Sequence, residues 1–352
     1  MKLQQLLDRI VVDVGIPGII AEVRDEDGST WFGTAGVADL ETGKPRCREE
    51  HFRIGSATKS FTSVITLQLA AEGRLSLDDS VDTWLPGMVQ GHGNDGRVIT
   101  VRQLLAHTSG LYLYSMDPDM RATETGPAFL EHRYDRYRPE DLVTIAVSRP
   151  PVFAPGTQWR YDNTGYILAG MIVERITGHS FADEFQQRIA EPLGLHDTYL
   201  PVDETIRAPY ARHYTTAQLS EPGCPVYDAT ELDPSRAWSA GGMVSSLGDL
   251  NRFFGLLFGG ELLPPEQQHE LLTTTSTEGA GWLPNTRYGL GVYTETLPNG
   301  VDIWGNGGAI TGSWTLSVGT SDGRHHLTAN LNGDWGNLLG AFAQLIEAEF
   351  GS

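Results

Sequence analysis

Phe52-Arg53-Ile54-Gly55-Ser56-Ala57-Thr58-Lys59-Ser60-Phe61 is the stretch on which the fold turns. A short strand-like approach passes through Gly55 into a pattern with apolar residues at Phe61, Val64, Ile65 and Leu69, and Gly73 supplies the stop. Steps of three and four predict a helix from Ser56 to Glu72. Ser56 and Lys59 then share one face, a turn apart. A serine hydroxyl is a weak nucleophile until a base takes its proton. A lysine amine can be that base if desolvation or a nearby cation lowers its pKa from ~10.4. The helix start also directs backbone N–H groups and partial positive charge at the same point.

A capping serine and a surface lysine have the same spacing, so S-x-x-K alone decides nothing. Two observations weigh on the chemical side. The strongly apolar turn after Lys59 predicts burial, and an unpaired buried lysine is costly without a purpose. Lys59 is also one of only three lysines in the chain, with Lys2 and Lys44, so nearly all basic charge is arginine.

Working outward, residues 1–14 alternate polar and apolar residues at helical spacing, ended by Gly15 and Pro17. Ile19–Val23, the turn Asp27-Gly28 and Thr30–Gly33 predict a hairpin. The middle, about 75–235, is rich in loops, Pro and Tyr, with helices predicted near 100–106, 139–148, 164–177 and 180–191. A helix follows from Ser246, whose spacing to Asp249 resembles a capping box with a shortened acid. Strands return at Tyr288–Tyr293, Val301–Trp304, Ser313–Val318 and His326–Leu331, and a helix over 336–349 closes the chain. Strands at both ends around a helical middle predict an α and β fold. Its antiparallel sheet, flanked by helices, is built from both termini (1–75 and 236–352), and a mainly helical lobe (76–235) is inserted.

Composition narrows the function. Forty per cent hydrophobic and 20% charged residues in 352 are the balance of a globular protein with a sizeable core. A formal net charge of −20 argues against nucleic acid or an anionic membrane as the main partner. Cys47 and Cys224 are too few for a disulfide scaffold or a zinc site, and adjacent His325-His326 lack metal-ligand spacing. Neither a metal nor a cofactor is expected. No apolar run approaches the ~18 residues of a membrane span, and the N-terminus lacks the features of a signal peptide. The sequence as written predicts a cytoplasmic protein that acts on a small molecule or short peptide.

Two more elements carry chemistry. Tyr161-Asp162-Asn163 follows the turn Ala154-Pro155-Gly156 and precedes the 164–177 helix. A phenol can shuttle a proton if nearby ammonium charge lowers its pKa, and an amide can orient a lysine or a substrate. A core tyrosine and a helix cap are the plainer reading of the same residues. Trp304-Gly305-Asn306-Gly307-Gly308-Ala309 lies on a predicted strand, where glycines mark close approach of a ligand or another chain segment.

Ser56–Lys59, Tyr161–Asn163 and Asn306–Gly308, in this order, resemble the motif triplet of the serine β-lactamase and penicillin-binding-protein superfamily. The branch they resemble is that of class C β-lactamases, DD-carboxypeptidases and related esterases. Leu104-Leu105-Ala106-His107-Thr108-Ser109-Gly110, Ser239-Ala240-Gly241-Gly242 and Tyr288-Gly289-Leu290-Gly291 add to the resemblance, which spans roughly residues 15–345. It implies Ser56 as nucleophile, Lys59 and Tyr161 as the proton-transfer pair and Asn163 as an orienting donor. It implies an oxyanion hole from the backbone N–H groups of Ser56 and Ala309. Asn306, Gly307 and Gly308 would border the substrate.

The sequence departs from that pattern at Asn306, where the family usually has Lys or His. It departs again at Tyr293-Thr294-Glu295, where carboxypeptidases of the branch tend to carry arginine. Each lost charge-assisted bond to a carboxylate forfeits about 1.5–3 kcal/mol. A D-Ala carboxylate or a β-lactam is therefore disfavoured against a small ester, amide or D-amino-acid peptide with an uncharged leaving group. Arg236 is a candidate anion ligand from another wall, and Tyr112, Tyr114, Trp238, Trp304 and Trp314 are candidate pocket aromatics. Hydrolysis and acyl transfer to an amine or alcohol share the same acyl-enzyme, and a noncatalytic binding module on this scaffold is the third alternative. Gly319-Thr320-Ser321-Asp322-Gly323 matches a nucleophile elbow but lies between strands, not before a helix. His107 is expected to be structural.

Overall fold

The computed structural model describes residues 3–221 and 223–351. Helix α1 (Leu3–Val14) buries Leu6, Leu7 and Ile10, and residues 1 and 2 of the predicted helix lie outside the described residues. Strands β1 (Gly18–Arg24) and β2 (Thr30–Gly36) pair antiparallel about Gly28, whose φ of 82° fits the tight turn. The C-terminal half adds β3 (Thr275–Ser276), β4 (Thr286–Tyr288), β5 (Tyr293–Thr296), β6 (Asp302–Ile310), β7 (Ser313–Thr320) and β8 (His326–Leu331). All eight strands form one antiparallel sheet in the order β2-β1-β8-β7-β6-β5-β4-β3. β1 lies beside β8, with Ala21 opposite Ala329, so the two ends of the chain make the sheet together.

Alternation along the strands splits the core into two layers. Ile19, Ala21 and Val23 of β1, with Leu316, Val318, Leu327 and Ala329, pack against α1 and the closing helix α9 (Leu338–Phe350). Ile20 points the other way, into a second cluster that runs through α2 (Thr58–Ala71) into the helices of the middle. These are α3 (Val101–Leu105), α4 (Pro139–Val147), α5 (Thr164–Thr177) and α6 (Phe181–Phe185, winding on to Leu193). Next come α7 (Leu247–Phe258) and α8 (Pro265–Leu272), the latter without a sequence signal strong enough to read. Every α2 residue from Thr58 to Leu67 is buried, so this helix is enclosed on all sides.

Three local expectations need correction. The helix read from Ser56 begins at Thr58, because Gly55–Ala57 form a tighter 3₁₀ turn under the backbone of β6. Tyr288–Tyr293 is two strands, not one. Gly291 adopts φ +81° against α2, where a Cβ would meet Ser63 Oγ at 2.3 Å and Lys59 O at 2.9 Å. Ser246 does cap α7, but the Asp249 carboxylate turns away to accept from Asp197 N and Thr198 Oγ1 instead of closing a capping box. Among the described residues, no helix is long and apolar enough to cross a membrane.

Candidate active site

Ser56 sits where the N-terminal start of α2 meets β6. A Cβ on Gly55, which has φ +51°, would come within 2.8 Å of Ala309 N. A Cβ on Gly308 would come within 2.0 Å of Ile54 O and 2.4 Å of Ser56 N. Gly308 of the strand triad thus admits another chain segment rather than a ligand. Ser56 in this turn and Lys59 in the first turn of α2 stand three residues apart and so share one face.

Lys59 Nζ lies 3.1 Å from Ser56 Oγ, 2.7 Å from Asn163 Oδ1 and 2.7 Å from Ala240 O. The Tyr161 hydroxyl donates to Ser56 Oγ at 2.5 Å. A hydroxyl and an amine from the start of α2 and a phenol and an amide from the segment before α5 therefore meet at one point. Lys59 is fully buried and, among the described residues, donates only to neutral acceptors, so burial pushes its amine down to about 7 against a partial offset from Asp162. The ammonium also lies over the Tyr161 ring at 4.8 Å and the Tyr166 ring at 5.4 Å. Burial pushes the Tyr161 phenol well above its ordinary value, with the bond to Ser56 acting in the opposite sense.

The direction of the Ala309 N–H follows from strand parity. β6 and β7 are closed by the Thr311-Gly312 turn, with Ile310 opposite Ser313 and Ala309 opposite Trp314. In an antiparallel ladder bonded and non-bonded pairs alternate, so counting from the closing pair turns Ala309 N–H away from β7. On that side β5 pairs β6 only as far as Gly305, and the β6 edge beyond it is open beside Ser56 N.

Asn306 is corrected. It faces inward, on the same side of the strand as Gly308, and is 5% exposed. Its Nδ2 donates to Gly291 O at 2.9 Å, Ser60 Oγ at 3.1 Å and Ser56 O at 3.3 Å, and its Oδ1 accepts from Gly307 N. Where the family places a cation, this chain has an amide that clamps the sheet to α2. Gly307 lies on the opposite face, where a Cβ would meet Thr315 O at 2.9 Å.

A cavity of about 430 Å³ opens between β6 and the middle helices. Asn163 and Ala309 form part of its wall, with Met116, Leu232, Ile310 and Trp314 as apolar lining. Tyr114 and Arg236 also line it. The Arg236 guanidinium is already committed, 2.9 Å from Glu124 Oε1 and donating to Thr123 Oγ1 at 2.7 Å and Met120 O at 2.5 Å. It is not free to bind an anion. Trp238 does not line the cavity; its ring packs edge-on against Phe181 in the core. Tyr112 also stands outside the wall, donating to Met116 O, and Trp304 packs toward Phe258.

Sequence reading missed Trp282, which stacks on Tyr161, because a tryptophan in a loop has no periodic signal. It also missed the role of Ala240, whose carbonyl is the third Lys59 partner. The Ser239-Ala240-Gly241 motif was the available signal. His107 is fully buried, 4.5 Å from the Tyr161 ring, and its Nδ1 accepts from Asp162 N at 3.3 Å. Burial lowers its pKa, and it does not contact Ser56. Gly319 and Thr320 end β7 and Ser321–Gly323 enter the hairpin turn to β8, so the segment is not a nucleophile elbow.

The Beta-lactamase family model matches residues 3–320. The chain belongs to the beta-lactamase family. Among solved structures this family member is similar to a D-stereospecific amidohydrolase from Streptomyces sp., with TM-score 0.91 and 43% identity over 99% of this chain and 98% of that one. It is also similar to the D-amino acid amidase of Ochrobactrum anthropi SV3, with TM-score 0.84 and 26% identity over 98% and 97% of the two chains. Esterase EstB of Burkholderia gladioli is 31% identical over 202 residues, 56% of this chain and 50% of the esterase. The chain thus spans about half the length of that curated relative.

Proposed function

We propose that this chain is a serine hydrolase that cleaves the amide or ester bond of small D-amino-acid derivatives through an acyl-enzyme on Ser56. The observation that carries the reading is Ser56 Oγ held at once 3.1 Å from Lys59 Nζ and 2.5 Å from the Tyr161 hydroxyl. With Tyr161 donating to Oγ, the serine's own proton is left for Lys59, whose amine is partly neutral near pH 7. Attack forms the Oγ–C bond, and the carbonyl oxygen takes negative charge beside Ser56 N–H and Ala309 N–H. As the tetrahedral intermediate collapses, the C–N or C–O bond breaks and the leaving group takes a proton from Tyr161, which Lys59 replaces. Water then attacks the acyl-enzyme along the reverse proton route and releases the acid.

The printed names of the amidohydrolase and the amidase support a D-amino-acid amide, and that of EstB supports an ester. The inward Asn306 and the committed Arg236 support a leaving group without a carboxylate. The test is intact-mass measurement after a fluorophosphonate, together with turnover of D- and L-phenylalanine amide. One adduct on Ser56, absent in Ser56→Ala, and preference for the D-amide are expected. No adduct with any acylating probe, or equal rates on both amides, would sink the reading.

A further inference from the structure

Asp162 is a buried acid that the mechanism above does not use. It is 2% exposed and lies between Tyr161 and Asn163 in the chain. Its Oδ1 accepts from Gly165 N at 2.6 Å, which fixes the carboxylate at the start of α5 where helix N–H groups lack partners. Its own N–H donates to His107 Nδ1 at 3.3 Å, and Oδ2 is 3.6 Å from the same nitrogen. His107 in turn sits against both tyrosine rings that Lys59 overlies, Tyr161 at 4.5 Å and Tyr166 at 5.3 Å.

We propose that Asp162 is a positioning residue of this site: one anchored carboxylate holds the Tyr161 and Asn163 side chains that flank it and supplies the counter-charge to the buried Lys59 ammonium. The inference rests on the function proposed above and adds the group that sets the state of its base. Among the described residues, Lys59 has no carboxylate among its hydrogen-bond partners, which are Ser56 Oγ, Asn163 Oδ1 and Ala240 O. The titratable groups around the pair come from every packed element. They are Lys59 from α2, His107 after α3, Tyr114 from the loop before α4, Tyr161 and Tyr166 at α5, and Tyr288 from β4. Burial holds His107 below its ordinary value and the tyrosines above theirs, and Asp162 contributes the one carboxyl of this set.

Asp162→Asn tests this, because an amide oxygen can still accept from Gly165 N while the charge is gone. Two readouts are followed against pH: the rate of Ser56 labelling by a fluorophosphonate, and the Lys59 ¹⁵Nζ resonance, which is easily assigned among three lysines. The expected result is a downward shift of about one pH unit in both, the size that loss of one nearby charge produces. A folded variant with unchanged curves overturns the proposal. If Asp162→Asn does not fold, Asp162→Ser keeps an uncharged cap and the same prediction. Loss of folding in both assigns the carboxylate to stability alone and overturns it too. Wild-type protein that never labels at Ser56 defeats the hydrolase reading instead, and the ¹⁵N curves still decide on Asp162.

Discussion

Trp282 lies flat on Tyr161, with ring centroids 4.8 Å apart and planes 11° from parallel. Trp282 comes from the loop between β3 and β4, where Gly279 and Gly281 both take positive φ. On another side the Tyr161 ring meets His107 at 4.5 Å, and the Lys59 ammonium lies over it at 4.8 Å. The phenol that donates to Ser56 is therefore held by packing around the ring as well as by its one hydrogen bond.

Removing that support loosens the proposed proton donor without touching the proposed nucleophile. Trp282→Ala is expected to lower kcat about tenfold with a smaller change in KM, since misplaced catalytic groups cost rate more than binding. Trp282→Phe, which restores a stacking face, is expected to stay within about threefold of wild type. Steady-state kinetics on a D-amino-acid amide decide it. An alanine variant as fast as wild type shows that Tyr161 needs no such wall.

With Lys59 as the proposed base, the proposed reaction is pH-dependent in a definite direction. Burial lowers its folded-state value from 10.5 to about 7, so the free amine is present above that pH and is lost below it. With an uncharged ester, kcat/KM should fall about tenfold per pH unit below ~7. For stability the sign is the same. Between about 7 and 10.5 the unfolded chain binds a proton that the folded chain does not, so this group makes stability rise with pH across that window. Lys59→Arg keeps a permanent charge and should be inactive at every pH. A rate that is flat from pH 5 to 8 contradicts Lys59 as base.

The reach of the sequence was uneven for physical reasons. The sheet, α2, α5 and the Ser56–Lys59 pair were legible, because two-residue and three-to-four-residue periodicities are local and strong. The 3₁₀ turn at Gly55–Ala57 was not, since it is imposed by Ala309, more than 250 residues away in the chain. Arg236 and Trp238 stand two apart, yet one lines the cavity and the other packs in the core. Composition gives no hint of which. Asn306 was legible as a departure from the family but not in its direction, because one step of strand parity decides which face a side chain takes.

That inward direction has a consequence for redesign. Asn306→Lys would restore the residue type usual in the family, but it would press an ammonium toward Ser60, Gly291 and Ser56 backbone and hydroxyl groups with no carboxylate among the Asn306 partners. An uncompensated buried charge costs about 3–5 kcal/mol. The variant should therefore melt well below wild type and gain no turnover of a D-Ala-D-Ala substrate. A stable Asn306→Lys protein with new carboxypeptidase activity would mean that this position can reach the substrate.

The tightest geometric demand falls on Gly308. Its backbone is not in the left-handed region, so any cost of a side chain there is one of space alone. An alanine Cβ would stand 2.0 Å from Ile54 O and 2.4 Å from Ser56 N, backbone atoms at the start of the turn that carries the proposed nucleophile. β6 is pinned on its far side by pairing with β7 across eight residue pairs, so the turn has to yield rather than the strand. Moving Ser56 N away from Ala309 N opens the pair of donors proposed to receive the oxyanion, and losing one such donor costs about 100-fold or more in kcat. Gly308→Ala should show that loss in kcat, with a lowered melting temperature. Gly307→Ala, whose Cβ would make one close contact, with Thr315 O at 2.9 Å, should be much milder. Equal kcat for Gly308→Ala and wild type on a D-amino-acid amide would separate catalysis from the contact between these two backbones.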